Sequence, residues 1–224
     1  MPKEIAPSPG PPRRRAGRPR SLVLDGDLIG RTALKLVNDG GYTKLTMSGL
    51  AKALGVSPSA LYNHVGSKQE IMQLIQEIVM DNVDSSVFES FPLTEALLRW
   101  AETYRDVLAG HAPLIPLIAV LPVTGSPRTL DMYEKVATGF TKAGWHQADI
   151  VPAIVAVESF IFGSALDATA PLDIFNPGKK AGQLPNFEDA LDAQRATGRN
   201  SADAAFHTGL RAIVAGLLGT PATS

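Results

Sequence analysis

The stretch Leu45-Thr46-Met47-Ser48-Gly49-Leu50-Ala51-Lys52-Ala53-Leu54-Gly55-Val56-Ser57-Pro58-Ser59-Ala60-Leu61-Tyr62-Asn63-His64-Val65 decides how the chain is read. It divides into two short helices about a turn at Gly55. Thr46 is a cap for the first, whose apolar face is Met47, Leu50, Ala51 and Leu54. Ser57 is a cap for the second, with Pro58 at the first helical position, where a missing N–H costs nothing. Gly55 suits the site just past the first helix, where a left-handed residue reverses the chain. Leu61 and Val65, four residues apart, turn back to a small core with Val56, leaving Ser59, Ala60, Tyr62, Asn63 and His64 outward. Helix, glycine turn and a second helix with a small, polar and aromatic outer face is the layout of a major-groove reader. The plainer alternative, a helical hairpin that merely packs in a core, does not require an outward Tyr-Asn-His face.

Around this stretch the charge is unevenly spread. The net charge of −1 conceals a basic first segment: residues 1–68 hold eleven Lys and Arg against four Asp and Glu, and residues 69–224 hold ten against eighteen. A basic portion carrying two capped helices beside an acidic remainder points to a polyanion reader joined to a module of another kind. At 224 residues, 45% hydrophobic and 19% charged, the chain has room for one or two domains with a sizeable core. The absence of cysteine rules out a disulfide framework and a Cys-based zinc site, and fits a reducing compartment. The N-terminus is rich in Pro and Arg with no apolar core of a secretory signal. The apolar run Ala112–Val123 is short and holds three prolines, and Ile150–Leu166 is interrupted by Glu158. The expectation is a soluble cytoplasmic protein with no membrane partner.

Read in order, residues 1–20 form a basic arm with little to bury, expected to be disordered in the free protein. Within it, Arg13-Arg14-Arg15-Ala16-Gly17-Arg18-Pro19-Arg20 is similar to an AT-hook core, in which Arg18 and Arg20 would lie in the narrow, electronegative minor groove of A·T tracts. The alternative is a solvated tail adding only nonspecific phosphate attraction; Ala16 stands where the hook has another Arg. Residues 21–66 are expected to form a three-helix head, its first helix capped by Asp25 or Asp27 and ended by Gly40-Gly41, with Tyr42 and Leu45 closing the core. Arg31, Lys35 and Lys44 are placed to reach phosphates or simply to be solvated. Ser67-Lys68-Gln69-Glu70 is a capping box that opens a connecting helix over 67–88. From Pro92 onward the apolar period stays helical: a helix opened by Thr94, a short Pro-bounded piece over 113–121, a helix started by Ser126-Pro127, a long apolar helix over 147–168 with Pro152 near its start, a loop excursion over 170–199 with a short helix at 187–194, and a last helix capped by Ser201. No strand pattern persists. The fold class expected is all-α: an N-terminal three-helix DNA-binding head and a larger helical ligand-binding and dimerisation domain over 89–224.

Leu45-Thr46, Leu50-Ala51, Leu54-Gly55-Val56-Ser57, Ala60-Leu61-Tyr62-Asn63-His64-Val65 and Ser67-Lys68 together resemble the helix-turn-helix of the TetR family of bacterial transcriptional regulators. More faintly, Trp100–Ala109, Tyr133–Gly144, Ala156–Leu166 and Phe206–Leu218 resemble the C-terminal domain of the tetracycline-repressor class. The resemblance implies a homodimer on a double-stranded operator and a pocket whose occupation releases DNA. Where that class holds the drug and its Mg²⁺ with His and Asn, an ungapped count places Asp84, Trp100 and Val123, so the metal-binding His is missing and no metal or other cofactor is expected.

The candidate residues follow. Thr46, Ser48, Tyr62, His64 and Lys68 are expected on phosphates, with Ser57 and Pro58 shaping the helix start, and Ser59, Ala60 and Asn63 at base edges, where Asn pairs bidentately with adenine and Ala meets a thymine methyl. Trp100, Tyr104, Leu117, Met132, Tyr133, Phe140 and Phe160 are candidate walls for a small, mostly apolar effector, each alternatively a plain core residue. Ile154, Val157, Ile161 and Ala165 with Phe206, Leu210, Ile213 and Leu217 are the expected dimer interface, a four-helix bundle with two helices per subunit, the alternative being that both helices are central to one subunit. His111, His146 and His207 show no metal-ligand spacing. An enzyme is disfavoured, since no nucleophile elbow, P-loop or carboxylate pair is present. An architectural A·T-rich minor-groove binder, with residues 13–20 carrying the affinity, is the main alternative function.

Overall fold

In the computed structural model residues 24–171 and 173–219 are described. Helix α1 (Gly26–Gly40) begins where the Asp25 carboxylate accepts from Leu28 N, so Asp25 is the cap and Asp27 instead pairs with Arg31. Helices α2 (Met47–Leu54) and α3 (Pro58–Tyr62) follow, then α4 (Lys68–Met80). Ile29, Ala33, Val37, Leu45, Leu50, Leu54, Leu61 and Val65 close the head's core. Arg18 and Arg20, with the rest of the expected arm, lie outside the described residues.

The remaining elements are α5 (Val87–Ser90), α6 (Leu93–Ala109), α7 (Ile115–Ile118), α8 (Pro127–Lys142), α9 (Gln147–Asp167), α10 (Pro185–Ala196) and α11 (Ser201–Gly219). No strand occurs among the described residues. Helix α6 lies at the centre of this part, packed against α4, α5, α8, α9 and α11, and buries Leu97, Trp100, Ala101, Tyr104 and Leu108. The buried apolar side chains form one connected core from Ile29 to Val214.

Three boundaries differ from expectation. The connecting helix stops at Met80 rather than near Phe88. Asn82 Nδ2 donates to the Ile78 carbonyl and Asp84 Oδ1 accepts from Ser86, so short polar side chains satisfy the backbone as a turn. Val79, Val83 and Val87 are all buried, and their four-residue spacing imitates a helix across this turn. The last helix includes Ser201, while Asn200 Oδ1 takes the Ala202 N–H. Helix α6 opens one residue before Thr94, directly after Pro92. The excursion after α9 contains a short turn at Gly178–Lys180 and α10, which buries no residue.

Among the described residues one helix, Gln147–Asp167, is long and apolar enough to cross a membrane. Its inner side, with Ile150, Ile154, Val157, Ile161 and Ala165, lies in the core, and the helix continues through Pro152.

Candidate nucleic-acid interface and sensor core

The head is built from local bonds. Thr46 Oγ1 accepts from Gly49 N at 3.0 Å and Ser57 Oγ from Ala60 N at 3.1 Å, fixing the start of each helix. Gly55, at φ 68° and ψ 27°, reverses the chain and donates back to the end of α2. Leu61 and Val65 are buried, which leaves Ser59, Tyr62, Asn63 and His64 exposed and Ala60 half-buried on the opposite side. Ser48, Ser57 and Pro58 are also exposed. At the start of α4, Ser67 Oγ accepts from Glu70 N as expected, and Glu70 Oε2 reaches back one residue beyond the cap to accept from Gly66 N. Lys68 is half-buried, its Nζ held 3.8 Å above the centre of the Tyr42 ring. Sequence reading put Tyr42 only in the core; it also steadies this cation. Arg31 and Lys35, considered for phosphate contact, pair with Asp27 and Asp39 one turn away.

In the larger part, the structure brings three of the expected wall residues together and adds Glu158, Phe88 and Phe162, which sequence reading missed. Tyr104 and Tyr133 both donate to Glu158 Oε1, at 3.3 and 2.8 Å. The Trp100 ring lies 5.5 Å from that of Tyr104, with Phe88 beyond it at 5.8 Å, and Phe162 stands 5.9 Å from Tyr104 on the other side. Burial pushes the Glu158 carboxyl up from 4.5 to about 6, partly offset by the two tyrosine hydroxyls. Both tyrosine hydroxyls are raised by burial and by the neighbouring carboxylate. Among the described residues the fully buried Trp100 indole N–H has no acceptor, and Gln76 Oε1 on α4 has no donor. Met132, next to Tyr133 on α8, is buried and lines a groove of about 570 Å³ between the end of α4 and α8. Phe140 packs on Trp145 at the far end of α8, and Phe160 stacks on Phe206 beside α11, so neither joins this cluster. Leu117, half-buried on α7, is not placed in it by any ring contact or hydrogen bond.

Helix α4 ties the two parts. Gly30 lets α1 lie against it: a Cβ there would stand 2.6 Å from Ile78 Cδ1 and 3.1 Å from the Leu74 carbonyl. On another face of α4, Gln73 Nε2 donates to the Thr124 carbonyl, and the Glu77 carboxylate accepts from Arg128 N, Thr129 N and Thr129 Oγ1. Glu77 therefore caps α8 from a distance. Ser126, just before the helix, makes no cap bond, and its buried hydroxyl has no partner among the described residues. Asn38 at the end of α1 meets His111 Nδ1 at 3.3 Å, a second tie between the head and the rest; burial lowers the His111 pKa and favours the neutral ring.

Comparison with known proteins matches this arrangement over nearly its whole length. A family model described as "Tetracyclin repressor-like, C-terminal domain" matches residues 92–220, and one described as "Bacterial regulatory proteins, tetR family" matches 29–75. The chain belongs to the TetR family. It is a DNA-binding transcriptional regulator. An HTH-type transcriptional regulator of Saccharopolyspora erythraea is 26% identical over 208 residues, covering 88% of this chain and 86% of that protein. The class A tetracycline repressor of Escherichia coli, from transposon 1721, is 29% identical over 213 residues, 87% of this chain and 90% of that protein. The crystal structure of the Streptomyces coelicolor TetR-family protein ActR in complex with (S)-DNPA shares 25% identity and a TM-score of 0.71, covering 88% of this chain and 98% of that one.

Two features set this TetR-family chain's own site. None of Asp84, Trp100 and Val123, the residues counted at the class's drug-holding positions, is a histidine, and the Trp100 indole donates a hydrogen bond and offers no lone pair to a metal. Among the described residues no group of three or more acidic or His side chains is placed to hold a metal. The second feature is a correction. Ile154, Val157, Ile161, Ala165, Phe206 and Leu210, expected between subunits, lie at 5% exposure or less inside one protomer, and Ile213 and Leu217 are half-buried. The outward sides of the same helices carry Val151, Val155, Gly163 and Leu166 on α9 and Ala205, Ala212 and Gly216 on α11. Both helices are apolar nearly all round, so periodicity did not separate the side meeting the core from the side left free.

Proposed function

We propose that the chain is a ligand-released repressor, binding a two-fold operator as a homodimer in the cytoplasm. The observation that carries this reading is helix α4, which is bonded through Glu77 to the start of α8 and through Gln73 to the Thr124 carbonyl before it, and packed at Gly30 against the DNA-binding head. An effector that favours a different position of α8 thereby favours a different position of the head. The relatives support it: one curated relative is a tetracycline repressor and ActR has been crystallised with a small molecule.

In this reading Ser59, Ala60 and Asn63 meet base edges, and Thr46, Ser48, Tyr62, His64 and Lys68 fix the register on phosphates. One five-residue recognition helix spans few base pairs, so a two-fold pair of heads is needed to read half-sites about one turn apart. The outward apolar side of α9, including Val151 (66% exposed), Val155 (52%) and Leu166 (44%), is the surface a second copy covers, with the small residues of α11 beside it. Ile174, Phe175 and Phe187 of the excursion are also exposed, with Phe175 and Phe187 in ring contact.

Selection of bound duplexes from a random pool, with sedimentation of the protein alone and on the selected site, tests the reading. A palindromic consensus bound by two protomers is expected. A protein monomeric at micromolar concentration and indifferent to every duplex would overturn it. Effector binding must also weaken operator affinity by the factor by which operator weakens effector affinity.

A further inference from the structure

We infer that the effector carries a protonated amine, and that Glu158 receives it among the rings of Trp100, Tyr104, Tyr133 and Phe162. The inference rests on the reading of this chain as a ligand-responsive regulator and names the chemistry of its ligand.

A carboxylate in an apolar helix is expensive to bury, and a buried charge is ordinarily met by a cation. Glu158 is 7% exposed, yet no Lys, Arg or His among the described residues pairs with it. Both of its hydrogen bonds converge on Oε1, from Tyr104 and Tyr133, so Oε2 accepts none among the described residues. These donors orient the carboxylate without neutralising it. Tyr104 and Tyr133 touch the carboxylate, and the Tyr104 ring is flanked by Trp100 at 5.5 Å and Phe162 at 5.9 Å, aromatic faces to which a cation is drawn. Phe162 lies four residues after Glu158 on α9, hence on the same side of the helix. The buried Trp100 N–H without an acceptor is a second unfilled polar group in the same cluster, suited to an oxygen of the ligand. A carboxylate with one oxygen that accepts from no described residue, held by two tyrosine hydroxyls beside aromatic rings, selects a cation with an apolar body over a neutral or anionic molecule of equal shape. At pH 7.5 a carboxyl held at about 6 is ionised, and an ammonium ion beside it holds it so.

Three probes of one skeleton test this: 2-(2-naphthyl)ethylamine, 2-(2-naphthyl)ethanol and 2-naphthylacetate, titrated calorimetrically into the full chain at pH 7.5. The amine is expected to bind at least tenfold more tightly than the alcohol, and the anion least. In Glu158→Gln the amine is expected to lose that advantage while the alcohol binds as before. Equal affinities of amine and alcohol for the unaltered protein would overturn the inference whether or not the variant folds, as would a folded Glu158→Gln protein that keeps the preference. Operator release is measured separately with the same probes. If amine preference is present and depends on Glu158 but no probe affects DNA binding, the inference stands and the ligand-released reading falls.

Discussion

Removing the Glu77 carboxylate should cost stability and, more tellingly, disconnect the sensor from the head. Glu77 accepts Arg128 N at 2.9 Å and both Thr129 N and Thr129 Oγ1 at 3.2 Å. Thr129 is 1% exposed, so in Glu77→Ala its donors do not turn to bulk water. Loss of a helix cap costs about 0.5–2 kcal/mol and a buried unsatisfied donor about 1–3 kcal/mol. The hydroxyl of Ser126, buried and unpartnered beside the same helix start, takes up part of this, which leaves about 2 kcal/mol. For a chain of this length that lowers Tm by roughly 4–8 °C. Coupling between effector and operator, ordinarily about 1–3 kcal/mol, should fall towards zero in the variant while effector affinity on free protein stays within a factor of two to three. Thermal unfolding gives the first quantity, and operator titrations with and without a saturating effector give the second. Glu77→Gln, which keeps one acceptor, should fall between. If Glu77→Ala melts within about 1 °C of the parent and releases DNA normally, the remote cap is neither stabilising nor part of the relay.

Four further expectations have direct measurements. Gly30→Ala pushes a methyl group into Ile78 and the Leu74 carbonyl, so it should cost about 1–3 kcal/mol by denaturant unfolding and weaken operator binding. Lys68→Ala should weaken all duplexes alike and reduce the slope of log affinity against log salt by about 1. Asn63→Ala should relax sequence preference at one base pair per half-site, read from a selected pool; equal losses on operator and random DNA would refute its role at a base edge. Since the fold holds the Glu158 carboxyl at about 6 against its ordinary 4.5, the protonated form favours the native state. Its contribution is complete below 4.5 and falls by about 2 kcal/mol as pH rises through 6. Denaturant unfolding from pH 4.5 to 7.5 should show that fall in the parent and not in Glu158→Gln.

What was legible in the sequence is what short-range bonding decides. Thr46, Ser57 and Ser67 each accept from an N–H three residues on, so the caps of α2, α3 and α4 are visible in a window of a few residues. Gly55 is visible for the same reason. Ser126-Pro127 marks the start of α8 locally, whereas the carboxylate that caps it lies 51 residues before Arg128 on α4. Glu158 read as an interruption in an apolar run. Its meaning comes from hydroxyls 54 and 25 residues away, and no periodic pattern connects them. The aromatic walls were found only in part, since Trp100, Tyr104 and Tyr133 gather around that carboxylate while Phe140 and Phe160 pair elsewhere with Trp145 and Phe206. Composition names aromatic residues; only packing says which share a site.

The side chains of α4 show why a change near Glu158 has mechanical consequence at the head. Gln73 and Glu77 are four residues apart and hold Thr124 and the start of α8 respectively; Leu74 and Ile78, also four apart and one residue further round, meet α1 at Gly30. At about 100° per residue the two pairs occupy neighbouring faces of one helix, so α4 cannot follow α8 without pressing on α1. Tyr133 belongs to α8 and donates to Glu158, which places the sensor's charged group two bonded contacts from that helix junction. Close packing at Gly30 leaves no slack for the movement to be absorbed locally. The other tie, Asn38 to His111, lies at the far end of α1. A displacement delivered near Gly30 and resisted near Asn38 is a rotation of α1, and α2 packs against that helix with α3 packed on α2. In a two-fold dimer equal rotations of both heads change the distance between recognition helices, which is the quantity that a fixed half-site spacing penalises.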